Sequence, residues 1–164
     1  MTSGGPRRSS SGWASYAAAA WALAFAALSF YWAAGGRLGL STLSEGIRVR
    51  VAQRDHGFIA VVWITGALKV LAAALALALD RPWRALARRM VLGAGWVTGA
   101  GLVLYGGLGF VTAGLVQLGI TQSTDPEAAR WYFFLWEPVW LVGGILFLAA
   151  AWHAHAKSRS RQSP

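Results

Sequence analysis

Cysteine is absent from this chain, and with it go disulfide scaffolds, thiolate metal sites and thiol redox chemistry. Charge is scarce too. Only 13% of the 164 residues are Asp, Glu, Lys or Arg, against about 25% in an ordinary soluble domain. Acidic residues are the scarcest, six against fifteen basic ones. The apolar runs lack the strict alternation that a membrane barrel needs. No nucleophile elbow, Walker loop, HExxH pair or dinucleotide fingerprint occurs, so the sequence carries none of the familiar catalytic signatures.

Hydrocarbon is what the chain has in abundance: 56% of its residues are hydrophobic. They form four blocks of roughly bilayer length, at Trp13–Ala34, Phe58–Leu79, Met90–Leu118 and Trp131–Trp152. The expected fold is all-α: a polytopic integral membrane protein with four transmembrane helices in an antiparallel bundle. Residues 13–152 form this membrane domain. Residues 1–12, rich in Gly and Ser, are expected to be a disordered basic tail, and residues 153–164 a basic C-terminal tail. Arg7-Arg8 resembles an export signal, but "RRSSSGW" lacks the apolar residues that follow such a pair, and the next run is too long for a signal core. It reads as a retained first span.

Apart from Lys69, every basic residue lies between or outside the blocks. Nine flank one face of the bundle: Arg7, Arg8, Arg81, Arg84, Arg88, Arg89, Lys157, Arg159 and Arg161. Five flank the other: Arg37, Arg48, Arg50, Arg54 and Arg130. Cytoplasmic loops carry the excess of positive charge, so both termini are expected inside. Cationic flanks attract anionic lipid headgroups, which accounts for the net charge of +9 without a nucleic-acid partner. Tryptophans mark both edges: Trp13, Trp83 and Trp152 on the inner side, Trp32 and Trp131 on the outer.

The loops carry local signals. Gly35-Gly36 should end the first span. "TLSE" (Thr42 to Glu45) matches a capping box and should start a short interfacial helix, although "IRVRV" alternates as a strand would. Asp125 before Pro126 reads as the N-cap of the fourth span. The third block is glycine-rich, and Gly95 and Gly99 form a GxxxG step suited to close helix packing, within the chain or against a second copy or membrane partner.

Two charges lie inside the blocks. Lys69, in "ITGALKVLAAALALALD", sits about 16 Å from the outer edge at helical rise, and Glu137, in "WYFFLWEPVWLVGG", about 9 Å. A lysine near the bilayer centre costs roughly 2.5–3.5 kcal/mol. A lysine stem spans the depth difference, so a Lys69–Glu137 pair is expected, either structural or as a half-buried ligand site. Pro138 removes a backbone donor beside Glu137 and loosens the turn. Trp136, Tyr132, Tyr31 and His56 lie at similar height and complete the candidate ligand-binding set. The aromatic cluster from Trp131 to Trp140 reads first as interface belt and packing. His153 and His155 alone make too small a set for a metal site, so no metal and no cofactor is expected.

"YWAAGG" (Tyr31–Gly36), "ALKVLAAALALAL" (Ala67–Leu79) and "LWEPVWLVGGILF" (Leu135–Phe147) resemble the family of small bacterial four-span proteins known as domain of unknown function 3995. The resemblance extends over roughly Trp13 to Trp152. It implies a four-helix protein of the bacterial plasma membrane with Lys69 and Trp136–Pro138 inside its motifs, and no assigned reaction. Three functions are then open. One is binding or transport of a small polar, anionic or lipid-like ligand in an outward-facing cavity. Another is an accessory or assembly subunit with a purely structural Lys–Glu pair. The last is a membrane enzyme on a lipid or isoprenoid substrate, with Glu137 as acid or base and His56 as helper. The shortage of polar groups weighs against the enzyme.

Overall fold

The structure is a computed structural model that describes residues 12–160, with side chains as far as Lys157. The Arg7-Arg8 pair and all but the last residue of the expected N-terminal tail lie outside the described residues. The helices are α1 (Trp13–Ala33), α2 (Glu45–Ala52), α3 (His56–Ala78), α4 (Ala85–Gln117), α5 (Pro126–Trp131) and α6 (Glu137–Ser160). A 3-10 turn (Leu40–Thr42) precedes α2, and a π-helical turn (Tyr132–Trp136) joins α5 to α6. No strand occurs among the described residues. Four helical runs, α1, α3, α4 and α5 through α6, are long and apolar enough to cross a membrane.

α1 packs chiefly on α3, α4 chiefly on α6, and α1 meets α6 across the centre. Small residues permit these close approaches. Ser15, Ala18, Ala22, Ala26, Ser29 and Ala33 recur every three or four residues along α1 and are all buried, so one helical face is a smooth stripe. Phe147 of α6, fully buried, fills the space against Ala18, Ala22, Ala73 and Ala76. On α4, a Cβ at Gly99 would stand 2.9 Å from the Leu148 backbone nitrogen, and one at Gly95 3.0 Å from Leu79. The Gly95–Gly99 face is therefore occupied inside the chain, chiefly by α6. Gly93 and Gly101, on another face of the same helix, meet nothing within 4 Å.

The long elements run past their expected ends. α4 starts at Ala85 rather than near Met90, because after Pro82 nothing breaks the helix and Arg88 donates to the Ala154 carbonyl at 2.8 Å. Likewise α6 continues to Ser160, since "AWHAHAKSRS" holds neither Gly nor Pro; the C-terminal tail expected from residue 153 is helical that far.

The loop between α1 and α3 folds back over the bundle. α1 stops at Ala33, and Gly35 follows at φ +103°, a conformation that glycine adopts without steric cost. "IRVRV" is helical within α2, in keeping with its lack of a strand partner. The capping box does not form. Thr42 turns its hydroxyl to the Gly39 carbonyl at 2.7 Å, and Ser44 precedes the helix without a side-chain cap. The cap comes from the far loop instead: Asp125 Oδ2 accepts from the Glu45 N–H at 3.0 Å, while its Oδ1 accepts from the Ala128 N–H at 3.0 Å. One carboxylate thus caps α2 and α5 together, with Arg48 3.7 Å away. The Ala128 N–H first, then the Glu45 N–H and the Arg48 charge, hold the Asp125 carboxyl below its ordinary range, against a smaller opposing effect of burial.

Candidate functional site

Two cavities lie toward the end of the bundle that carries α2 and α5. The first, of about 180 Å³, is enclosed by α1, α3, α4 and the π-helical turn and roofed by Leu40, Leu43, Ile47 and Val51. Its walls are aromatic and aliphatic: Phe25, Trp32, Phe58, Val62, Trp136 and Trp140 among them. The rings lock one another. Trp140 packs edge-on to Tyr105 with centroids 5.6 Å apart and tilted against Phe25 at 5.3 Å, and Trp32 meets Trp136 at 5.8 Å. Both indole N–H groups at the roof are used: Trp32 donates to the Leu38 carbonyl at 2.7 Å and Trp136 to the Thr42 hydroxyl at 3.1 Å.

Into this apolar box points Lys69. Its ammonium donates to the Ser29 hydroxyl at 2.8 Å and stands 5.7 Å from the centroid of the Trp140 ring, within the range of a cation–π attraction. No acidic residue lines the cavity. An ammonium carries three donors, and Ser29 takes one of them. What remains is a lysine with donors to spare at one end of a largely apolar space.

The second cavity is wider, about 640 Å³, and its lining mixes apolar side chains with hydroxyl, amide and carboxyl groups. Ser44, Thr112, Thr121, Gln122, Ser123, Thr124 and Asp125 line it together with Tyr132 and Glu137; Thr112 is exposed, and Glu137 is buried. Neither Lys nor Arg lines it. Glu137 is 5% exposed, and its Oε2 has no hydrogen-bond partner. A Cβ at Gly109 would land on the Glu137 carboxylate, so the missing side chain of Gly109 makes the seat in which that carboxylate rests. Pro138 explains the π-helical turn just before it. A proline has no N–H and its ring crowds the carbonyl four residues back, here Phe134; widening the helix by one residue relieves both. The Glu137 N–H accordingly reaches five residues back to the Tyr132 carbonyl.

The Lys69–Glu137 contact expected from depth alone is not made: no salt bridge joins them among the described residues. Depth fixes height along a helix but not direction around it. α3 packs on α1, so Lys69 turns to Ser29; α6 packs on α4, so Glu137 turns to Gly109. Lys69, Tyr132 and Trp136 share the first cavity, and Tyr132 also lines the second. Tyr31 lines neither; it is 46% exposed and its hydroxyl accepts from the Leu38 N–H. His56 is exposed on the first turn of α3 and lines neither. The aromatic cluster divides, with Trp131 and Phe134 exposed and Tyr132, Trp136 and Trp140 at the first cavity. Trp32, expected in an interface belt, turns inward to the same cavity. Residues not foreseen as site groups are Ser29, Tyr105, Trp140 and Gly109. Their only sequence signals were a hydroxyl within an alanine stripe, a tyrosine amid glycines, an indole one turn after Glu137, and one glycine among many.

The fold and its cavities define a class: a small helical protein with four membrane-length helices and an aromatic-walled pocket that holds a lysine. Residues 22–147 match the family described as "Protein of unknown function (DUF3995)". The chain belongs to that family, and the match is somewhat shorter at both ends than the Trp13–Trp152 resemblance. No curated protein and no solved structure matches the chain.

Proposed function

We propose that this is a multi-pass membrane protein that binds a lipid-like amphiphile by its anionic head, held at Lys69 beneath the α2 roof. The observation that carries the reading is the half-buried ammonium, with a single neutral hydroxyl partner and no acid in its cavity. An unmatched charge in a span is costly unless something compensates it, and an anion entering the cavity would do so. The volume of about 180 Å³ is below the roughly 300 Å³ of a drug-sized pocket. It suits a carboxylate or phosphate head with its first few carbons, the tail leaving between helices into lipid. The many large apolar side chains facing outward, such as Ile64, Leu68, Leu71 and Leu104, suit a lipid-exposed surface. The arginine clusters suit anionic headgroups, with both termini cytoplasmic and the α2 roof on the outer side of the plasma membrane.

Less supports the alternatives. An enzyme built on Glu137 and His56 would need them in one cavity, and they are not. A subunit docking through Gly95 and Gly99 would need a face that α4 already gives to its own chain.

The test is quenching or enhancement of tryptophan fluorescence on adding decanoate or decyl phosphate to the protein in nanodiscs. Saturable binding is expected for the parent chain, weakened at least about tenfold, or about 1.4 kcal/mol, in Lys69→Met. Equal binding by both, or equal binding of decyltrimethylammonium, would overturn the proposal.

A further inference from the structure

The wider cavity over Glu137 is separate from the Lys69 site and has a chemistry of its own. A carboxylate buried at membrane depth stays charged only if a cation or water attends each oxygen. Glu137 Oε2 has neither a protein partner nor exposure. No basic side chain lines the cavity, and Lys69 points into the other one. The Thr112 hydroxyl proton is also taken, by the Leu108 carbonyl at 2.5 Å with the Gly109 carbonyl at 3.1 Å. The titratable groups facing Glu137 are Tyr105 from α4, Tyr132 from the π-helical turn and, at the cavity mouth, Asp125. All are neutral or acidic, so none compensates a negative charge. Yet the lining carries hydroxyl and amide groups, those of Thr112, Thr121, Gln122, Ser123 and Thr124, among Ala113, Val116, Ala128 and Ala129.

We propose that Glu137, seated on Gly109, is a proton-binding site filled from the α2–α5 end of the bundle through this hydroxyl-lined cavity. Hydronium in the cavity gives its proton to the Glu137 carboxylate and leaves as water; release reverses the step. The seat selects the proton over larger cations, because both carboxylate oxygens lie against the Gly109 backbone rather than in a ring of oxygen ligands. Trp136 and Trp140, on either side of Glu137 in sequence, both line the Lys69 cavity, and Tyr132 lines both cavities. A change of charge at Glu137 is therefore felt at the wall of the neighbouring pocket.

Infrared spectroscopy of the full chain in nanodiscs tests this without any ligand, so its outcome is independent of the amphiphile reading. Glu137→Gln removes one carboxyl and leaves the five other acidic residues in place, so the difference between the two spectra isolates Glu137. A protonated-carboxyl band that shifts in deuterium oxide is expected at neutral pH, and Glu137→Gln should lose that band alone. Gly109→Ala should displace the carboxyl into the aqueous cavity, so that the band appears only at ordinary acidic pH. Absence of the band from the native chain at neutral pH would overturn the proposal, whatever the variants do. So would its removal by sodium or potassium at constant pH, which would make the site one for alkali cations, or its persistence in Glu137→Gln.

Discussion

Lys69 and Glu137 illustrate how a residue's neighbours, not its depth, decide its role. Each is an ionisable group within a long apolar helix, and opposite charges there would be expected to pair. Their backbones face different partners, so Lys69 meets a hydroxyl and an indole face, and Glu137 meets a glycine. A consequence for stability follows at once. Removing Lys69 leaves no carboxylate orphaned, so Lys69→Met should unfold at the same or a higher temperature than the parent chain. A mutual pair would instead lose several kcal/mol, about 3–5. Thermal unfolding in detergent separates the two outcomes, and a double cycle with Glu137→Gln should show additive effects.

Elements are joined by small residues and by one shared cap. On α4 the prediction is a contrast between two glycines on different faces. Gly99→Ala forces a methyl against the Leu148 backbone and should cost about 1–3 kcal/mol by overpacking. Gly101→Ala meets open space and should be neutral or gain up to about 1 kcal/mol. Unfolding midpoints in the same detergent check both. At the roof, Asp125 holds α2 and α5 through two backbone N–H groups. Asp125→Ala should accelerate amide hydrogen exchange along α2 while leaving α3 and α4 unchanged. The pH dependence has a definite sign. A carboxyl whose folded value lies below its unfolded one, about 3.9, contributes fully above the latter. That contribution is lost as pH falls through the depressed folded value. The roof should therefore stay closed through mildly acidic pH and loosen only in strong acid.

At the scale of the whole molecule, the chain has two chemically distinct ends. One carries both ends of the described chain and the Arg81–Arg89 segment, where Asp80 pairs with Lys157. The other carries the α2 roof, Asp125 and both cavity mouths. Because cysteine is absent, single cysteines report topology cleanly. Gln122→Cys should react with an impermeant maleimide from outside intact cells, and Ala156→Cys only after the membrane is opened; the reverse pattern would invert the orientation. Much of this plan was readable beforehand. Helix number, helix identity and the glycine stop after α1 follow from block length, composition and backbone freedom, all of which act within a few residues. Asp125 as the cap of the last span follows from a three-residue pattern, and it was legible for the same reason. The second cap on α2 spans |i−j| = 80, and no local pattern carries it. The cavities are likewise assembled from elements far apart in sequence, and helix rotation sets their walls. Rotation depends on which small residues meet which partner: the α1 stripe against α3 and α6, and Gly95, Gly99 and Gly106 against α6 and Leu79. Thus the chain by itself determined that two ionisable side chains would lie within long apolar helices, because hydropathy is a sum over neighbours in sequence. Only tertiary packing decided that they would lie apart, because direction around a helix axis is chosen by the helix packed against it.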